Sequence, residues 1–220
     1  VQLLQALAPY VDIWCVYYRH FTSELSPEQQ QTFKTVREQH RFQVWTYACD
    51  GPGKNLSPDT YYRRLSWLAF SQGATGAGFW CYYGPDPWDD YSGDIHYELV
   101  YTAADAPPDV PRIEAFIPSR RWEAWREATE DYEYLHQLQA AIETARKAGT
   151  DPAAIAQAES TLQSVVVEVL EKPTVPGRYN QARRELTQQI MRLGRASRHA
   201  QGQWRFADSL PQKMHREGGQ

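Results

Sequence analysis

Three short runs of apolar and aromatic residues limit what this chain can fold into more than any other feature. They cover 11–18 (VDIWCVYY), 42–49 (FQVWTYAC) and 77–83 (AGFWCYY), and their cysteines, Cys15, Cys49 and Cys81, stand 34 and 32 residues apart. Each run is rich in β-branched and aromatic residues and too continuous for a strand wet on one side, so it predicts strands covered on both faces. Between the first two, Ser26-Pro27-Glu28 sets a capping hydroxyl before a proline and an acid, with Phe33 and Val36 at helical spacing behind them. Ser57-Pro58-Asp59 repeats that signal before the third run and is followed by Tyr61, Leu65, Leu68 and Ala69. The order predicted is strand, helix, strand, helix, strand, with parallel strands and helices near 27–40 and 58–72.

No G-x-G-x-x-G or G-x-x-x-x-G-K-[ST] follows any of these strands, which removes the usual nucleotide-binding case for an open sheet. The expectation is therefore α/β, with the C-terminal βα units of a (β/α)8 TIM-type barrel. Such a barrel takes about 250 residues, so three units leave it incomplete. Residues 1–148 are assigned to this part. The chain opens at Val1 and reads as a fragment or processed product, whose expected partner is the missing N-terminal part of the same polypeptide. Behind the third strand, 84–118 is long and proline-rich, with a strand-like stretch at 98–101, and a loop after a barrel strand lies on the face where active sites are built. Gly149-Thr150-Asp151-Pro152 is a stop and a restart, followed by helices expected over 152–171 and 179–198, a helical appendage spanning 149–200. The polar tail 201–220 is expected to be loosely ordered.

The net charge is -4, without long runs of like charge, which argues against nucleic acid as a partner. No apolar run has transmembrane length, so no membrane partner is expected, and the compartment, cytoplasmic or exported, stays unassigned. The cysteines form no C-x-x-C pair and read as buried thiols. His20, His40 and His96 lack metal-ligand spacing and no G-x-S-x-G elbow is present, so neither a metal, a cofactor nor a serine nucleophile is expected.

The unusual feature of the composition is aromatic: 8 Trp, 14 Tyr and 7 Phe. A Trp or Tyr ring offers a flat apolar face and a polar edge, suited to stacking on the C–H face of a sugar. Barrel sites are built at the C-terminal ends of strands. Those ends carry Tyr17, Tyr18, Arg19 and His20, then Tyr47, Asp50 and Asn55, then Trp80, Tyr82, Tyr83, Asp86, Trp88, Asp89 and Asp90. Tyr47, Asp50, Trp80, Tyr82 and Trp88 are assigned to a carbohydrate substrate. Trp80 and Tyr82 are expected on one strand face, with Phe79 and Cys81 turned towards the helices.

A helix is strongly marked from Ser119. Ser119, Arg121, Glu123, Ala124, Arg126, Glu130, Asp131, Tyr132, Glu133, Tyr134 and Leu135 fit, in order, the pattern Ser-x-Arg-x-Glu-Ala-x-Arg-x-x-x-Glu-Asp-Tyr-Glu-Tyr-Leu. With the aromatic runs before it, this stretch resembles the C-terminal part of the catalytic domain of glycoside hydrolase family 123, over about residues 10 to 140. The resemblance implies retaining, substrate-assisted hydrolysis of terminal 2-acetamido-2-deoxy sugars such as N-acetylgalactosaminides. In that family an adjacent Asp-Glu pair orients the acetamido group and supplies the general acid/base. This chain contains no Asp-Glu dipeptide, so its catalytic residues are unassigned and the pair is expected on an earlier strand. Glu130-Asp131 lies inside the helix, where a structural pairing with Arg121, Arg126 or backbone is expected. Two other functions fit the same residues: a non-catalytic carbohydrate-binding barrel fragment, and a structural protein with an incomplete barrel.

Overall fold

The three runs become three parallel strands, β1 (Ile13–Tyr17), β2 (Gln43–Ala48) and β3 (Gly76–Phe79), hydrogen-bonded in that order. The computed structural model describes residues 2–49, 57–83, 99–102 and 116–200. A short helix α1 (Gln2–Leu7) precedes β1. Helix α2 (Pro27–His40) joins β1 to β2 and has the expected bounds. Its start is a reciprocal cap: Ser26 Oγ accepts from the Gln29 N–H at 3.3 Å, and Gln29 Oε1 accepts from the Ser26 N–H at 2.8 Å. The second connection begins differently. Ser57 makes no side-chain cap, so Pro58–Thr60 forms only a 3-10 turn, and α3 runs from Tyr62 to Ser71.

Two expectations about the strands need correction. The third strand ends at Phe79 instead of running on to 83, although the Trp80 N–H still donates to Ala48 O at 2.8 Å. Nor is the sheet covered on both faces. Along β2, Val44, Thr46 and Ala48 are buried while Gln43, Trp45 and Tyr47 are exposed. Among the described residues, helices α2 and α3 cover one side only, where Val44 packs with Val36, Phe42, Ala69 and Ala74, and Trp14 and Val16 of β1 close the cluster. The uncovered side carries Ile13, Cys15, Trp45 and Tyr47. Large rings on that side gave the run its core-like continuity. Trp45 pairs in register with Gly76, and a Cβ on Gly76 would come within 2.7 Å of the indole, so with the ring in this position glycine alone fits beneath it.

A second, antiparallel pair joins β4 (Val100–Thr102) to β5 (Phe116–Pro118), which turns the strand-like stretch into half of a ribbon. From β5 the chain enters α4 (Arg120–Lys147), capped by Ser119 Oγ, which accepts from the N–H groups of Arg121 (3.1 Å) and Trp122 (3.3 Å). Gly149, at φ 68°, reverses the chain into α5 (Pro152–Glu171), and Gly177, at φ 73°, does the same before α6 (Arg178–Ala200). These helices form one core: Leu135, Leu138 and Ile142 of α4 meet Ile155, Val165 and Val169 of α5 and Leu186 and Leu193 of α6. Trp67, fully buried on α3, belongs to the same core and ties the sheet-covering helix to the helical bundle. The fold is mixed α/β, mostly helical, with a small parallel sheet.

Candidate carbohydrate site

The C-terminal ends of β1 and β2 bring an aromatic row to the sheet's open side. Tyr17 and Tyr47 are register partners with ring centroids 5.6 Å apart. Tyr18 stands edge-on to Tyr17 at 5.2 Å, and His20 does so at 6.2 Å. Arg19 adds a guanidinium, its Nε donating to the Tyr18 hydroxyl at 3.4 Å. Trp80 sits beside this row through its backbone bond to Ala48, with its side chain among the most exposed of the large apolar ones at 66%.

Of the residues assigned to substrate, Tyr47, Trp80 and Tyr82 are described, and all are exposed. Asp50 and Trp88 lie outside the described residues, as do Asn55, Asp86, Asp89, Asp90 and His96. Strand alternation does not reach Trp80 and Tyr82, because β3 stops before them. Tyr82 instead lies edge-on to Trp122 of α4 at 5.9 Å, and its carbonyl accepts from the Leu99 and Val100 N–H groups. Phe79 does face the helices, with Tyr62 at 5.2 Å and Trp125 at 4.7 Å. Cys15 and Cys49 are exposed, contrary to the buried thiols expected, because Cys15 faces the open side and Cys49 follows the end of β2; Cys81 is half-buried.

Glu130 pairs with Arg126 as expected, but Asp131 belongs to a network reaching two other helices. Asp131 is fully buried and accepts from Arg63 Nε (2.7 Å), Arg63 Nη2 (3.1 Å), Trp67 Nε1 (3.0 Å) and Arg183 Nε (2.8 Å). Its partners are therefore Arg63 of α3 and Arg183 of α6, not Arg121 or Arg126. Arg126 lies on the outer face of the helix, paired with Glu123, Glu127 and Glu130. Arg183 also reaches Glu127 (2.6 Å) and Glu130 (3.1 Å), and Arg63 lies over the Tyr179 ring at 5.1 Å. Burial pushes the Glu127 carboxyl up, but Arg183, Arg63 and Arg126 together outweigh it, so the net shift is downward and the group stays ionised. Burial likewise disfavours the charged Arg183, and Asp131 and Glu127 more than reverse that. These carboxylates hold α3, α4 and α6 together, and their oxygens are engaged in doing so.

Among the described residues no group of three or more His, Cys, Asp or Glu could hold a metal ion. No described helix is long and apolar enough to cross a membrane. A cavity of about 240 Å³ runs between β3 and α4, lined by Gly76, Ala77, Trp125, Ala128 and Tyr132. No family model matches the chain, and no curated protein does.

Proposed function

We propose that this chain carries the last three βα units of a glycosidase-type (β/α)8 barrel, in a protein that hydrolyses terminal 2-acetamido-2-deoxy sugars, N-acetylgalactosaminides among them. The observation that carries the reading is the pair of tyrosine rings, half-buried Tyr17 against exposed Tyr47, with the exposed Trp80 on the next strand end, at the C-terminal end of a parallel sheet. In parallel α/β architectures that end is where ligands bind. Flat rings beside Arg19 and His20 suit a ring with one apolar face and several hydroxyls. Among the described residues, β1 and β3 each pair on one side only. A strand edge left unpaired exposes a row of backbone N–H and C=O groups, and closing a barrel removes such edges, so further strands of the same polypeptide are the natural occupants of these two.

In the substrate-assisted reaction the acetamido oxygen attacks C1 while a carboxylic acid protonates the departing oxygen. The resulting oxazolinium is opened by water, which gives its proton to the same carboxylate. Neither carboxyl of that pair is assigned in this chain. The expected outcome is that the chain alone does not turn over an aryl N-acetylgalactosaminide, while the polypeptide with its preceding strands does. Turnover by the pure chain, lost on mutating Asp50 or Asp89, would overturn this division of labour. A second reading, a glycan-binding protein without catalysis, is favoured by the missing Asp-Glu pair together with the engagement of Glu130 and Asp131 in the helix network. An Asp-Glu dipeptide at the end of an upstream strand decides for the enzyme; its absence decides for the binding protein.

A further inference from the structure

The turn after β1 sets an imidazole and a carboxylate side by side. His20–Glu24 forms a π-type turn closed by the Leu25 N–H on His20 O, and it sets His20 and Glu24 at i and i+4 with Nδ1 2.6 Å from Glu24 Oε2. The two side chains are 46% and 44% exposed, and a pair so wet adds little to stability. Its position is more telling. The His20 ring stands at 89° to Tyr17, and Tyr17 in turn packs on Tyr47, so the imidazole sits at the edge of β1 where it adjoins the aromatic row on one side and an apolar cavity lined by Trp14, Val16 and Phe33 on the other. A carboxylate accepting from Nδ1–H holds the neutral imidazole in that tautomer and leaves the Nε2 lone pair free to accept.

We propose that His20 Nε2 accepts a hydrogen bond from one hydroxyl of the sugar stacked on Tyr17 and Tyr47, and that Glu24 is a positioning residue acting through His20. This rests on the carbohydrate reading above and deepens it by naming the group that tells one hydroxyl from the others. The test is an affinity series for N-acetylgalactosamine and its mono-deoxy analogues, read by NMR titration of the chain and of its His20→Ala, Glu24→Ala and Glu24→Gln variants. His20→Ala is expected to weaken the parent sugar about tenfold. One deoxy analogue, the one lacking the contacted hydroxyl, should bind the variant and the unaltered chain equally. Glu24→Ala should weaken binding and shift the His20 ring nitrogens towards the Nε2–H tautomer, whereas Glu24→Gln, which keeps an oxygen acceptor, should retain most of the affinity. Equal losses for every analogue, or no loss on removing the imidazole, would overturn the assignment and leave the carbohydrate reading standing. If the unaltered chain binds none of these sugars, both fall together.

Discussion

Asp131 shows how much of a side chain's role depends on partners far away in sequence. The helix pattern located it inside α4, which argued against catalysis, but Arg63 and Arg183 stand 68 and 52 residues away and no local spacing points to them. Removing this carboxylate takes the two-point partner from the buried Arg63, leaving it Glu127 at 3.4 Å and Asn180, and takes one of three carboxylates from Arg183. Asp131→Ala is expected to cost about 3 to 5 kcal/mol, seen as a lowered urea midpoint. Arg126→Ala, on the wet outer face, should leave that midpoint unchanged. Glu127 supplies a pH signature. Its folded carboxyl titrates below the ordinary glutamate value of about 4.3, so its contribution is complete above that value and is lost as pH falls through the lower, folded one. Stability followed by urea melts should therefore drop on the acid side, and Glu127→Gln should make that drop shallower.

The elements were legible where local chemistry sets them. The Ser26 cap and Pro27 mark α2 to the residue, and Pro152 marks α5, because caps and prolines act through adjacent backbone. The third aromatic run continues four residues past the end of β3, since continuity of aromatic residues says nothing about where pairing stops. The open face of β2 is hidden in the sequence for a related reason: Trp45 and Tyr47 count as apolar whichever way they point, and only packing tells the two faces apart. Two substitutions test this assignment of faces. Gly76→Ala should push the Trp45 indole aside, moving its NMR resonance and costing about 1 to 3 kcal/mol. Phe79→Ala, which empties a site between Tyr62 and Trp125, should lower the melting temperature, while Trp80→Ala should leave it close to unchanged. A reversal, with Trp80 governing stability, would mean that the end of β3 faces the other way.

At the scale of the whole molecule, α4 is the link between sheet and helices. Its first turns pack through Trp122 and Trp125 against Tyr62, Leu99 and Val100, and its later turns enter the core shared with α5 and α6. That division follows from its length, 28 residues, and from the small residues Ala124 and Ala128 that let neighbouring elements approach. One side of the sheet is thus buried under a braced set of helices, and the other is left open with its rings at the strand ends. The carbohydrate reading stands on that open side. Titrating N-acetylgalactosamine into the isotopically labelled chain, with every Trp indole N–H followed by NMR, tests it most directly. The expected result is saturable movement of the Trp80 and Trp45 indoles, lost in Tyr47→Ala, with the buried Trp67 indole unmoved. Movement confined to other indoles, or none at concentrations where the buffer sugar control is silent, would contradict a sugar site at the strand ends.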